Sequence, residues 1–274
     1  MQLSSVERGD WVWSTAPYAR DQTAARGSSV VTPTTSNRLP AAALRTLDAY
    51  AETVLACPPG VARRGGVHLL GASRRGLPAW HGFTMPIVGL SFASGAVIAC
   101  RPDLVERLRA ELGSDIHQLY LDGPAFRRLW RAVQRCAPNA FTLAGDLRAA
   151  DEATFVASPG IEGAEHIAED DPSALHLRTR FDGAIFGVRG PRGRLVSWAA
   201  LKLKSERVWE IAVATEADYR GRGYARDVVS AAARFSLDQG RLPSYIHDRD
   251  NGASAFVARA VGFQFYAEIV LSEY

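Results

Sequence analysis

Lysine is almost absent from this 274-residue chain, since only Lys202 and Lys204 occur among 32 basic residues and all the others are arginine. The 29 acidic residues leave a net charge of only +3, which does not indicate a nucleic-acid-binding protein. Cysteine is also scarce, and Cys57, Cys100 and Cys136 match no zinc-binding spacing. We therefore expect reduced thiols, a cytoplasmic protein and no metal site.

The chain also lacks a hydrophobic run that is typical of a membrane span or a secretory signal. Charged residues already occur at Glu7 and Arg8, before any apolar run, which argues against a signal peptide. The longest stretch without acidic or basic residues, 76–100, is interrupted by proline, glycine and serine. It predicts two buried strands with a turn near 94–95. Because 47% of the residues are hydrophobic, the chain can bury a substantial core.

The first half of the chain alternates between helical and strand-like patterns. Residues 14–40 read as a mobile loop or extended arm, because they are rich in Ser, Thr, Pro and Ala. Apolar spacing and breakers then predict helices over 41–56, 102–113 and 124–136, with strands over 67–70 and within 87–100. Ala137-Pro138-Asn139 ends the last helix. We place a domain boundary there, between residues 1–139 and 140–274.

The second half predicts the order β-β-β-α-β-α-β. Its three first strands cover 181–188, 194–203 and 208–215, and a glycine-rich turn at 189–193 joins the first two. A helix runs from 220–225 to Gly240, followed by a strand at 244–247, a helix over 251–261 and a strand over 263–271. The fold class is therefore α/β (α+β), with a mixed and mostly antiparallel sheet flanked by helices.

The segment Arg220-Gly221-Arg222-Gly223-Tyr224-Ala225 has the features of an anion-binding loop. It follows a strand and leads into a helix, whose first turn offers unpaired N–H groups and a partial positive charge. A P-loop is excluded because no Gly-Lys-Ser/Thr follows, and a Rossmann fingerprint because Arg226 stands where the third glycine is needed. The alternative is a helix that merely begins after a glycine-rich turn.

A wider set of residues resembles the GNAT superfamily of acyl-coenzyme-A-dependent N-acyltransferases. The set comprises Arg220, Gly223 and Ala225 after a strand that holds Val213 and Thr215, then Asn251 and Ser254, then Gly262-Phe263. The resemblance covers roughly residues 140–274. It implies a GNAT-like sheet with an extra N-terminal α/β domain, and acetyl-coenzyme A as the acyl donor.

The resemblance also implies roles for individual residues. The strand segment Val213, Ala214 and Thr215 would splay from the strand at 244–247 and pair with pantetheine like an added strand. The backbone of Arg220, Gly221, Arg222, Gly223, Tyr224 and Ala225 would hold the pyrophosphate. Asn251 would contact the coenzyme, and Ser254 either assists it or is simply a small helix residue.

The catalytic groups follow from the chemistry of amine acylation, which requires a neutral amine and a proton for the leaving thiolate. Glu210 is one candidate base, because the resembling family often places its base just upstream of the coenzyme-binding strand segment. Trp209 and Ile211 beside it also favour a raised carboxylate pKa. The alternative is an edge-facing strand carboxylate or a salt-bridge partner of an arginine. His247 is the other candidate base. The family often places a tyrosine acid where Ala258 stands, so the acid is left unassigned.

The resulting hypothesis is an N-acetyltransferase acting on an amine of a small molecule or peptide by direct attack in a ternary complex. Residues 1–139 would shape the acceptor cleft. A non-catalytic coenzyme-A-binding regulatory module is the alternative, because of Ala258. The expected partner is the amine acceptor, a homodimer is left open, and neither nucleic acid nor a membrane is expected.

Overall fold

The computed structural model describes residues 39–61, 65–80, 82–92, 95–113 and 123–274. The predicted arm at 14–40 lies outside these ranges, apart from Leu39 and Pro40. The described helices are α1 (Ala41–Leu55), α2 (Val105–Leu112), α3 (Gly123–Cys136), α4 (Leu175–Arg178), α5 (Tyr224–Asp238) and α6 (Gly252–Ala260). The strands are β1 (Gly66–Gly71), β2 (Pro78–Trp80), β3 (Phe83–Thr84), β4 (Ile87–Phe92), β5 (Gly95–Cys100), β6 (Phe141–Ala149), β7 (Glu165–His166), β8 (Ile185–Arg189), β9 (Leu195–Lys202), β10 (Val208–Thr215), β11 (Leu242–Asp248) and β12 (Gln264–Glu273).

Ten of these strands form one sheet in the order β1-β5-β4-β12-β6-β11-β10-β9-β8-β7. Only β1–β5 and β10–β11 pair in parallel, and the other neighbours in this sheet are antiparallel. The mixed, mostly antiparallel sheet that the sequence predicts is therefore confirmed. The strands β2 and β3 form a separate small ribbon.

The sheet is continuous across the predicted boundary at 139/140. β4, from the first half, pairs with β12, from the end of the chain, over residues 87–91 and 268–272. β6 lies between β12 and β11. The domain boundary at 139/140 stays a prediction, and the strands on both sides of it share one hydrogen-bonded sheet.

Helices cover both faces of the sheet. α1 packs its buried Leu47, Ala51 and Leu55 onto one face, against strands from both halves of the chain. The α2–α3 pair covers the other face of the first-half strands, and α5 and α6 cover that of β9, β10 and β11. Because α1 contacts both β5 and β10, residues of the first half lie directly over the strand that carries Glu210.

The nine-residue strand β6 has no counterpart in the sequence prediction. Asp146 and Arg148 interrupt its apolar pattern, and Gly145 weakens its strand propensity. In the structure these polar side chains face each other in an ion pair at 2.7 Å, while Leu147 and Ala149 enter the core on the other face. The ion pair is half-buried, and the polar–apolar alternation that it leaves in the sequence is short, from Asp146 to Ala149.

Candidate functional site

The first component of the site is a fork between two parallel strands. β10 and β11 pair from Val208 to Ile211 and from Leu242 to Tyr245, and their pairing ends there. Beyond this point β10 continues to Thr215 paired only with β9, and β11 continues to Asp248 paired only with β6. The facing edges of Ala212–Thr215 and Ile246–Asp248 therefore have no strand partner among the described residues. An extended ligand can add hydrogen bonds to such an edge.

The second component follows β10 directly. The chain passes through a short 3₁₀ turn at Ala217–Tyr219 and enters α5 at Tyr224. Gly221 and Gly223 have φ angles of +76° and +88°, a region that other residues adopt at a cost. Nothing lies within 4 Å of the position of a Cβ at Gly221. The loop therefore presents open backbone beside the unpaired N–H groups of the first turn of α5.

The two arginines of the loop hydrogen-bond within it. Arg220 Nε donates to the Thr215 carbonyl oxygen at 3.2 Å, and Arg222 donates to that of Asp218 at 3.1 Å. The Arg222 guanidinium also lies 5.1 Å from the centre of the Tyr219 ring. Both side chains are exposed, so they raise the positive potential at the N-terminus of α5 while stabilising the loop.

A buried polar network anchors the first turn of α5. The Ser158 hydroxyl donates to the Asp227 carboxylate and accepts from Arg226 Nε at 2.9 Å, and the Ser158 amide donates to Ser230 Oγ at 2.9 Å. Ser158 and Asp227 are 3% and 8% exposed. No local sequence pattern predicts this network, because Ser158 lies about seventy residues before α5. Its effect is to fix the helix end that the loop leads into.

The third component is the start of α6, where Asn251 and Ser254 lie. Asn251 Oδ1 accepts from the Ser254 amide at 3.0 Å and so caps the helix. The Ser254 hydroxyl lies 2.7 Å from the hydroxyl of Tyr245, the β11 residue at which the fork opens. Ala258 is fully buried one turn further along α6. Tyr245 therefore places a phenol within about one helical turn of the position where the resembling family often has its tyrosine.

Glu210 does not have the raised pKa that its apolar sequence neighbours led us to expect. Its side chain is buried, and its two oxygens accept from Lys202 Nζ at 2.8 Å and from Lys204 Nζ at 2.7 Å. Burial favours a raised pKa, but the two ammonium charges and their hydrogen bonds outweigh it and lower the pKa to about 2. The expected direction is therefore wrong, and the partners are the chain's two lysines rather than an arginine.

The lysines reach Glu210 from the neighbouring antiparallel strand. Lys202 is the cross-strand partner of Glu210 in the β9–β10 pairing, and Lys204 follows β9. Tyr50 of α1 lies close enough for the Glu210 charge to raise the pKa of its hydroxyl, to which burial contributes most. Glu210 therefore faces α1, on the opposite face of the sheet from α5.

His247 is buried on the face that carries α6. Its Nε2 accepts from Arg148 Nε at 3.1 Å, and its Nδ1 lies 2.9 Å from the carbonyl oxygen of Asp248. The Nε2 atom also lies 3.7 Å from a carboxylate oxygen of Asp146. Both ring nitrogens are therefore engaged, and the side chain is only 3% exposed.

The described residues contain no group of three or more His, Cys, Asp or Glu side chains arranged to hold a metal ion. In the same ranges, no helix combines the length and the apolar character that crossing a bilayer requires.

The fork, the glycine loop and the start of α6 all fall within the segment for which a family match exists. Residues 187–271 match the family model for GNAT acetyltransferases. The GNAT match includes β9 to β11, α5 and α6, together with most of β8 and most of β12. The resemblance inferred from the sequence motifs is thereby confirmed for this part of the chain. No match was found among curated proteins.

Solved GNAT structures resemble the chain over about half its length. An acetyltransferase from the GNAT family of Novosphingobium aromaticivorans is 22% identical, with a TM-score of 0.42, over 48% of this chain and 64% of that one. A GCN5-related N-acetyltransferase from Kribbella flavida is 17% identical, with a TM-score of 0.39, over 52% and 62%. The chain thus spans less than two thirds of either structure.

Proposed function

We propose that the protein is an acyltransferase that transfers the acetyl group of acetyl-coenzyme A to an amine of a small molecule or peptide. The observation that carries the proposal is the fork, whose unpaired β10 edge leads within a few residues to the open N-terminus of α5. An extended pantetheine can pair with this edge while its pyrophosphate meets the first-turn N–H groups. The family match at 187–271 supports the same reaction class.

The predicted coenzyme-contacting residues fit this placement. Val213, Ala214 and Thr215 form the unpaired edge, and the backbone of 220–225 forms the pyrophosphate site. Asn251 uses its Oδ1 as a helix cap, which leaves its amide NH₂ group for the coenzyme. The Ser254 hydroxyl is hydrogen-bonded to the Tyr245 hydroxyl, so we assign Ser254 the role of positioning Tyr245.

In the proposed reaction the amine nitrogen attacks the thioester carbonyl carbon, the C–S bond breaks, and the amine loses a proton. Glu210, with a pKa of about 2, is a weak proton acceptor. Both ring nitrogens of His247 already have hydrogen-bond partners. We propose that the amine reacts in its neutral form and that its proton passes to water.

Tyr245 is our candidate for protonating the departing thiolate. Burial raises the pKa of Tyr245 to about 12, which its hydrogen bond with Ser254 opposes. The hydroxyl therefore carries its proton at neutral pH, and the raised pKa makes that proton harder to donate than the proton of an ordinary tyrosine. Supplied from β11 rather than from α6, it compensates for the alanine at 258.

The experiment is to incubate the protein with acetyl-coenzyme A and a panel of amines, and to follow both thiol release and acetylated amine. We expect turnover with at least one amine and loss of coenzyme binding in Gly223→Glu, whose side chain adds bulk and negative charge to the loop. Unchanged coenzyme binding in Gly223→Glu would contradict the proposed site.

A non-catalytic coenzyme-A-binding module is the second candidate, and Ala258 is the observation that favours it. Micromolar or tighter binding of coenzyme A with no thiol release on any amine, at any pH, would support this candidate instead.

A further inference from the structure

The Asn251-Gly252 pair at the start of α6 combines exposure with a chemically reactive sequence. Asn251 is the only asparagine of the chain that precedes a glycine, since Asn37 precedes an arginine and Asn139 an alanine. Both residues of the pair are exposed. Asparagine deamidates when the backbone nitrogen of the next residue attacks its side-chain carbonyl carbon. A glycine in that next position leaves the nitrogen unhindered, because it has no Cβ.

The backbone conformation does not require a glycine at position 252. The φ angle of Gly252 is not among the positive ones, and nothing lies within 4 Å of the position that a Cβ would occupy. Gly252 is the first residue of α6, where alanine is a better helix former than glycine. What distinguishes glycine from other residues at this position is therefore its unhindered peptide nitrogen.

The hydrogen bonds that hold the pair are local. The Gly252 amide donates to the Asp250 carbonyl oxygen at 3.1 Å, and Asn251 Oδ1 accepts from the Ser254 amide at 3.0 Å. Among the described residues, the pair has no hydrogen-bond partner outside α6 and the turn at 248–251. An exposed turn with only such short-range bonds opens more readily than the core of the sheet. Opening frees both the nitrogen and the side chain that must react.

We propose that Asn251 is a site of spontaneous deamidation. The Gly252 nitrogen bonds to the Cγ atom of Asn251, and the side-chain NH₂ leaves as ammonia with the proton of the attacking amide. Water then opens the cyclic imide to aspartate or, through the other carbonyl, to isoaspartate. The reaction needs only water as co-reactant, and no oxidant or enzyme.

Deamidation changes the coenzyme contact, a consequence that rests on the proposed function. Aspartate at position 251 retains an oxygen for the cap, and its negative charge suits the N-terminus of a helix, so α6 persists. It lacks the NH₂ group that we assign to the coenzyme, and it places a negative charge beside an anionic ligand. We therefore expect deamidation to weaken coenzyme A binding. Bound coenzyme A should in turn slow deamidation, because it engages the Asn251 amide.

The test follows deamidation directly by peptide mapping with mass spectrometry. The full chain is kept at mildly alkaline pH, with and without coenzyme A, and fresh and aged samples are digested with trypsin. Cleavage after arginine releases peptides 250–259 and 136–148, which contain Asn251 and Asn139 as their only asparagines. Asn139 is also exposed. We expect Asn251 to be converted to aspartate and isoaspartate while most of Asn139 stays intact.

Two glycine variants separate the chemistry from the fold. Gly252→Ala should lose most of the aspartyl and isoaspartyl forms, because its Cβ hinders the nitrogen while the open space accommodates it. Gly163→Ala is the matched control, since Gly163 is exposed and has the same open space around a Cβ. It should deamidate at Asn251 like the wild-type protein. In calorimetry, ageing should lower the coenzyme A affinity of the wild-type protein and of Gly163→Ala, but not that of Gly252→Ala.

Equal conversion of Asn251 and Asn139 in the wild-type protein would overturn the inference, and this comparison needs no variant. Unchanged conversion in Gly252→Ala would overturn it as well. The proposed function fails separately. If fresh protein does not bind coenzyme A while Asn251 is converted, the modification site stands and the coenzyme site is wrong. If fresh and fully deamidated protein bind coenzyme A equally, the inferred effect of deamidation on the coenzyme contact is wrong.

Discussion

Replacing Glu210 with glutamine removes the anion between the two lysines of the chain while nearly preserving the side-chain shape. The pKa of Glu210 falls from an ordinary 4.5 to about 2 in the folded protein. At about 1.4 kcal/mol per pKa unit, this difference corresponds to about 3 kcal/mol of folding stability. Breaking a buried ion pair by removing one partner typically costs a similar 3–5 kcal/mol or so. We therefore expect Glu210→Gln to lower the free energy of unfolding by about 3 kcal/mol at neutral pH.

The pH dependence has a definite sign. Because folding lowers the pKa, the stabilisation is fully present above the unfolded value near 4.5 and is lost as the pH falls toward the folded value of about 2. Urea unfolding of both proteins, followed by tryptophan fluorescence at about pH 7 and about pH 3, measures their free energies of unfolding. The difference between the wild-type protein and Glu210→Gln should be smaller at the lower pH.

Glu106→Gln is the control, because its carboxylate forms an exposed pair with Arg109 and is 80% exposed. It should change the free energy of unfolding by no more than about 0.5 kcal/mol. The double variant Glu210→Gln, Lys204→Met should lose less free energy of unfolding than the sum of the losses in the two single variants, since the two groups interact directly. A loss below about 1 kcal/mol at pH 7, or a gap that does not narrow in acid, would refute this account of Glu210.

Three further predictions concern the coenzyme site and the proton donor. Gly223→Ala should weaken coenzyme A binding at least about tenfold in calorimetry, because alanine is strained by about 1–2 kcal/mol at a φ of +88°; Gly240→Ala, at a φ of +67° beyond the far end of α5, should leave binding intact. Asn251→Asp retains the cap oxygen and Asn251→Ala removes it, so Asn251→Ala alone should lose about 1 kcal/mol of stability. Both Asn251 variants should bind coenzyme A more weakly, and full affinity in Asn251→Asp would exclude a contact through the amide NH₂. Tyr245→Phe should lower kcat by roughly 10²–10⁴ with coenzyme affinity unchanged; an unaltered kcat would remove Tyr245 as the acid.

The regular elements followed closely from local sequence patterns. The helix predicted over 41–56 and the strands predicted within 87–100 match α1, β4 and β5 to within a few residues. The β-β-β-α-β-α-β order recurs in β8 to β12 with α5 and α6. These elements have clear apolar periodicity and glycine or proline at their ends, which are local signals.

The remaining features depend on contacts between distant residues. The local signal for the strand Phe141–Ala149 is only the short alternation at 146–149, and Arg148 gains its contact with His247 only when β6 pairs with β11. The predicted direction of the Glu210 pKa shift is wrong because the immediate sequence neighbours of Glu210 are apolar, whereas its lysine partners belong to β9 or follow it. Two signals point to these partners. One is the β9–β10 hairpin register, which pairs Lys202 with Glu210, and the other is the scarcity of lysine.

The pairing of β4 with β12 has a consequence for how the protein is made. Ser91 can pair with Glu268 only after Glu268 has been synthesised. The ribosome adds residues at roughly 5–20 per second. The β4–β5 hairpin therefore emerges roughly 10–35 s before the strand that completes its edge. During that interval the fully buried strand β4 presents open backbone hydrogen-bonding groups and apolar side chains, which is the kind of surface that chaperones bind and that aggregation exploits. Completion of the sheet therefore depends on β12, the last of the described strands to be synthesised.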